Sequence, residues 1–183
     1  SGLVSQSFTE DIPNVIVGDA GIIKVTAPHL KIFDGGQIAV NTFSPGNGGD
    51  IFIDADRIEI SDSVIDELGQ RAGIKTTVEQ SASGNGGNID IKTNHLRVFD
   101  GGAIASDTLG IGGDAGNVSI NAGIIDIDGV LSEQQLPSTI SAFSKNKFSA
   151  GSVNITTDKI NIRDRAEINV SNQASGDSGN LNI

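Results

Sequence analysis

Apolar residues recur along this chain in short alternating runs, each introduced by a glycine-centred block. Residues 18–25 read GDAGIIKV, and related blocks follow at 46–53 (GNGGDIFI), 84–91 (GNGGNIDI), 113–120 (GDAGNVSI), 149–155 (SAGSVNI) and 176–183 (GDSGNLNI). With the last glycine of each block as anchor, Gly21, Gly49, Gly87, Gly116, Gly151 and Gly179 lie 28, 38, 29, 35 and 28 residues apart. The second and fourth positions after the anchor are apolar in every copy, from Ile23/Val25 to Leu181/Ile183. Alternation of this kind predicts a strand with one buried face. A second run occupies the ninth and eleventh positions: Leu30/Ile32, Ile58/Ile60, Leu96/Val98, Ile125/Ile127 and Ile160/Ile162. A third follows a turn, at Ile38/Val40, Ile74/Thr76, Ile104, Ile140 and Ile168/Val170.

Three short strands per repeat, with no helical period between them, bury their inward residues only if each repeat stacks on the next. The expected fold is therefore all-β: a parallel β-helix (β-solenoid) of three strands per coil and about 28 residues per coil. A leucine-rich repeat has similar length but requires an LxxLxLxxN pattern that is missing, and a propeller blade requires more strands. Residues 1–183 read as a single segment, an excerpt of a longer repeat protein. Residues 1–17 read as the end of a preceding coil plus a loop. The two long intervals place insertions at 64–80 and 130–138, bulging outward where added loop length is tolerated.

Composition narrows the function. The chain has 24 Gly and seven Phe but no Trp, Tyr, Met or Cys, so Ile, Val, Leu and Ala must build the core and no disulfide scaffold is possible. A formal net charge of −11 argues against nucleic acid and anionic membranes as partners. No apolar run approaches the ~20 residues of a helical span, so no membrane insertion is expected.

Stacking turns each repeated position into a column. Two residues before the anchor stand Asp19, Asn47, Asn85, Asp114, Ser149 and Asp177, followed by the small residues Ala20, Gly48, Gly86, Ala115, Ala150 and Ser178. This reads as a structural corner, with side chains that bond turn backbone and one another. The competing reading is calcium, because residues 46–54 resemble a glycine–aspartate nonapeptide. That motif must recur in tandem, and here it does not. Thirteen residues after the anchor stand Asp34, Asp62, Asp100, Gly129 and Asp164, several followed by Gly, which reads as a second corner. Aligned carboxylates also serve polysaccharide-cleaving enzymes, but a catalytic set belongs to one or two coils, not to nearly all. His29, Arg57, His95, Ile124 and Lys159 share a column that reads as a solvated basic strip, with the histidines two coils apart and too distant for shared metal ligation. The column two residues on alternates in charge: Lys31, Glu59, Arg97, Asp126, then Asn161. Only Asp66, Glu67, Arg71 and Glu79, in the longer insertion, are unrepeated enough to qualify as such a coil-specific set. No nucleophile elbow, phosphate loop or metal-binding motif appears, so neither a catalytic site nor a cofactor is expected.

The blocks Val98-Phe99-Asp100-Gly101-Gly102-Ala103-Ile104-Ala105-Ser106 and Gly112-Gly113-Asp114-Ala115-Gly116-Asn117-Val118-Ser119-Ile120 resemble the repeats of filamentous-haemagglutinin-like exoproteins of the two-partner-secretion type, abundant in cyanobacteria. The resemblance covers residues 18–183. It implies a right-handed β-helix, secretion to the outside or the outer cell surface, and a role in adhesion or surface structure. The expected function is thus a non-catalytic structural or adhesive segment, a stalk or a binding surface for carbohydrate or surface protein. End-to-end self-association through open sheet edges is a further expectation. The alternative is a polysaccharide-active β-helix enzyme of lyase or hydrolase type.

Overall fold

In the computed structural model, residues 2–7, 18–62, 71–131 and 135–183 are described. After β1 (Gly2–Ser7), an eleven-residue strand followed by a six-residue strand occurs five times. The pairs are β2 (Ile23–Phe33) with β3 (Gln37–Thr42), β4 (Ile51–Ser61) with β5 (Gly73–Val78) and β6 (Ile89–Phe99) with β7 (Ala103–Thr108). In the next repeat β8 (Val118–Asp128) is separated from β11 (Thr139–Ser144) by a small antiparallel ribbon of β9 (Val130–Leu131) and β10 (Leu136–Pro137). The series closes with β12 (Val153–Arg163), β13 (Glu167–Asn172) and β14 (Leu181–Asn182). No helix occurs among the described residues.

Equivalent strands pair in parallel. The short strands form one six-stranded sheet in the order β1-β3-β5-β7-β11-β13, and the long strands form another in the order β14-β12-β8-β6-β4-β2. Register follows the anchor: Ile23, Ile51, Ile89, Val118, Val153 and Leu181 form one column. The all-β reading and the stacking of repeats therefore hold, and the architecture is solenoid-like.

The first and second strands expected from the sequence run together as one long strand. Pairing is interrupted only at its sixth residue, where Pro28, Asp56, Asn94, Gly123 and Asp158 stand. In β4 the buried residues Ile51, Ile53 and Ala55 give way to Ile58 and Ile60, so the inward phase slips by one at Asp56 and Arg57. Every residue at the unpaired sixth position is Pro, Gly, Asn or Asp, the types that accept a local bend.

Inward residues of both sheets form a single aliphatic core, including Ile58, Ile74, Leu96, Ile104, Ile125 and Ile140, all fully buried. Burying each such side chain contributes about 1.5–3 kcal/mol. The anchor glycines are fixed by close backbone approach. A Cβ at Gly87 would lie 2.0 Å from the carbonyl oxygen of Gly49, and one at Gly116 would lie 1.9 Å from that of Gly87. No other residue fits that column from Gly49 onward.

The insertions leave the stack intact. Within 64–80, residues 73–78 are β5, in register between β3 and β7, while residues 63–70 lie outside those described. In the second insertion the β9–β10 ribbon folds back so that buried Leu131 sits against Gly101, where a Cβ would approach Leu131 Cβ to 2.7 Å. Residues 132–134 lie outside the description, as do 8–17.

Candidate functional site

The first corner is a hydrogen-bonded ladder. The side-chain oxygen of Asp19 accepts the backbone N–H of Asn47 at 2.7 Å, and Asn47 accepts that of Asn85 at 3.0 Å. Asn85 in turn accepts Asp114 N–H at 3.0 Å, and Asp114 accepts Ser149 N–H at 2.9 Å. Asp177 joins through its carbonyl, which accepts Ala150 N–H at 2.8 Å. A second ladder, unnoticed in the sequence, runs immediately after the anchor. Asp50 accepts Asn88 N–H at 2.8 Å, Asn88 accepts Asn117 N–H at 2.9 Å, Asn117 accepts Ser152 N–H at 2.9 Å, and Ser152 accepts Asn180 N–H at 3.1 Å. The signal was present, because every anchor except Gly21 is followed by Asp, Asn or Ser. From Asp19 to Asp114 and from Asp50 to Ser152 the side-chain oxygens are thereby engaged by amides of the next repeat, each bond worth about 1 kcal/mol.

The second corner has two forms. At Asp34 and Gly35, φ is 49° and 71°, and Gly36 N–H donates to Phe33 carbonyl at 2.9 Å, a type I′ turn. Asp100-Gly101 repeats it with φ of 50° and 86°, and Asp164-Arg165 with 52° and 68°. In the two repeats with insertions a side-chain oxygen closes the loop neck. Buried Asp62 accepts Gly35 N–H at 2.8 Å and Ala72 N–H at 2.6 Å. Ser138 Oγ accepts Gly101 N–H at 3.0 Å and donates to Asp128 carbonyl at 2.6 Å.

The basic strip is part of an ion-pair network. Glu59 meets Lys31 and Arg57, each at 2.9 Å, and hydrogen bonds from these two hold its carboxyl below the usual range. His95 Nε2 lies 2.8 Å from Asp126, and its Nδ1 faces Arg57 Nη1 at 3.3 Å. Arginine only donates, so Nδ1 accepts and Nε2 carries the proton toward Asp126. Asn161 at 2.7 Å and His95 together lower the Asp126 pKa. His29 shares the column but not this pairing. Among the described residues no group of three or more His, Cys, Asp or Glu is placed to hold a metal ion.

Of the four unrepeated residues, Asp66 and Glu67 lie outside the described residues. Arg71 donates to Pro137 carbonyl at 2.9 Å, bridging over the intervening repeat, while Lys75 donates to Arg71 carbonyl at 3.1 Å. Arg71 is largely desolvated, which lowers its pKa, and it feels the charges of Asp107, Asp62 and Glu167. Burial pushes the Asp107 carboxyl up to about 6 despite the nearby Lys75 and Arg71 charges. Asp107, which the sequence did not single out, is thus the acidic member of the one unrepeated charge cluster in the described structure. Glu79 is raised by burial alone and is not brought into that cluster.

A different feature lies on the outer face of the long-strand sheet. A shallow groove of about 540 Å³ runs along the stack between the third and fifth positions after the anchors, lined by Phe52, Asp90, Lys92, Ser119 and Asn121 among others. Burial, followed by the charge of Asp50, raises the pKa of Asp90 along its edge. The chain matches no family model, and no curated protein or solved structure is significantly similar to it.

Proposed function

We propose that this chain is a non-catalytic structural and adhesive segment of a large exoprotein, secreted or displayed on the outer cell surface, of the filamentous-haemagglutinin-like kind. The underlying coil is read as a right-handed parallel β-helix with three strands per coil and a base length of about 28 residues. The phase slip in each long strand supports a corner between two of the three faces, and right-handed crossovers are the rule for parallel strands. One observation carries the functional reading. The carboxylates and amides of the corner columns recur from repeat to repeat and are engaged in holding adjacent repeats together, as from Asp19 to Ser149. Such a chain extends by adding coils, and what it offers outward is a long lateral surface for carbohydrate or surface protein.

The Arg71–Lys75–Asp107 cluster gives the enzyme reading its only specific support. A carboxyl titrating near neutrality is the group a lyase or hydrolase uses as acid or base. Two measurements decide. Antibody against the chain should label intact, unpermeabilised cells that express the parent protein; labelling only after permeabilisation overturns the surface assignment. Incubation with polysaccharides should release neither reducing ends nor unsaturated products. Product formed by wild type and lost in Asp107→Asn would establish the enzyme instead.

A further inference from the structure

Several outward columns of the long-strand sheet are closed on themselves. The column beginning at Asp50 is hydrogen-bonded from strand to strand, and Lys31 meets Glu59 at 2.9 Å. Asn94 donates to Asp56 at 3.4 Å, and Asn161 to Asp126 at 2.7 Å. The fifth position after the anchor is different. Thr26, Asp54, Lys92, Asn121 and Thr156 stand in register on adjacent strands, and all are exposed. None of their side chains has a hydrogen bond or ion pair among the described residues. Asp54 and Lys92 are direct cross-strand neighbours of opposite charge, yet they do not close an ion pair. The column is a ridge between the groove of about 540 Å³ on one side and a second of about 410 Å³ on the other.

We propose that this ridge and its grooves bind a linear, uncharged polysaccharide lying along the stack. The proposal rests on the surface-adhesive reading and supplies its ligand class. Polar groups repeat once per strand, about every 4.8 Å, so the matching ligand offers hydrogen-bonding groups repeatedly along its length. Asp54 accepts, Lys92 donates, and Asn121 and Thr156 do both. A hydroxyl also does both, and therefore satisfies all four, whereas a chain of like charges satisfies only half. A polyanion meets Asp54 and Asp90 and a molecule of net charge −11; a polycation meets Lys24 and Lys92. Half-buried Phe52 along the edge of the groove presents a ring to the apolar face of a sugar, with Lys24 Nζ 5.5 Å from its centroid.

Native gel electrophoresis through gels containing hydroxyethylcellulose, laminarin or galactomannan, with heparin and alginate gels in parallel, tests this. At least one neutral polymer should retard the chain, and the anionic ones should not. Asn121→Ala and Phe52→Ala should each weaken that retention by about fivefold or more, the scale of one lost contact. Glu59→Gln, five positions further along the same strand, removes one negative charge and shifts free mobility, but its retention in every gel, relative to a gel without polymer, should equal that of wild type. Circular dichroism confirms that each variant folds, and exposed Asn121 serves if the Phe52 variant does not. Absence of retention by all three neutral polymers, stronger retention by an anionic one, or unchanged retention in Asn121→Ala overturns the proposal. Cell-surface labelling is independent of these results, so loss of glycan binding with labelling intact leaves a stalk without this ligand.

Discussion

Thr108 Oγ1 is the one buried side-chain polar atom among the described residues without a hydrogen-bond partner. Its neighbours in register are Val78 and Ser144, both buried, so the same site one repeat earlier already holds a valine of nearly the same shape. Removing an unpaired buried hydroxyl removes a desolvation cost without opening a cavity. Thr108→Val should raise stability by about 1 kcal/mol, read as a higher urea midpoint at unchanged m; a fall in the midpoint would mean that the hydroxyl has a partner. Asp107, one residue earlier, also carries a desolvation cost, but one that depends on pH. Its folded pKa of about 6 lies above the ordinary 3.8, so the folded state holds the proton more tightly than the unfolded chain. That stability is fully present below pH 3.8 and is lost as pH rises through 6. Asp107→Asn should therefore gain on the order of 1 kcal/mol at pH 7.5 and nothing at pH 3.5, measured by urea unfolding at both. Equal effects at the two pH values would show that the carboxyl is not perturbed. Neither residue stood out in the sequence, because a Thr and an Asp in a short strand read alike whether they face water, a covering side chain or the core.

At the scale of elements, the strands were legible because alternation and the glycine anchor report burial and close approach, both of which depend on residue type alone. The corner between β2 and β3 was legible for the same reason, since Asp34-Gly35 suits two successive positive φ values. The corner between β12 and β13 has Arg165 at φ 68°, a conformation that L side chains adopt only at a cost, and there the pattern Asp-Gly fades although the turn persists. Stacking on the preceding repeat supplies what local preference does not. The bend inside each long strand was read instead as a gap between two strands, because hydrogen-bond pairing resumes one residue past Asp56 and only the burial phase changes. β5 was partly absorbed into an insertion. Its fourth residue is Thr76, whose hydroxyl reaches the Gly87 carbonyl at 2.8 Å, and a buried threonine hides the alternation that an isoleucine there would have displayed. The electrostatic influence of Arg71 on Asp107 links charges from different repeats, and no periodicity within either segment encodes it.

For the molecule as a whole, stability is a sum of nearest-neighbour interfaces more than the property of one centre. Apart from the Arg71–Pro137 hydrogen bond, which spans one repeat, each repeat is held by the repeats beside it, through a strand pair in each sheet and the corner ladders. The inward residues of the middle repeats, such as Ile58, Leu96 and Ile125, are fully buried, whereas Leu30 and Ile160 are half-buried and Leu181 is 42% exposed. Fewer buried apolar contacts mean a smaller cost of local opening, and amide exchange measures that cost directly. Deuterium uptake should therefore be slowest in β4, β6 and β8 and progressively faster toward β2 on one side and β12 and β14 on the other. The hydrogen bonds themselves do not predict this gradient, since Ile23 N–H and Val153 N–H donate to neighbouring carbonyls at 3.0 and 2.9 Å, as well as Ile89 N–H does at 2.9 Å. A uniform rate across all long strands would instead show that the repeats open only together, and that the core behaves as one cooperative unit despite its serial construction.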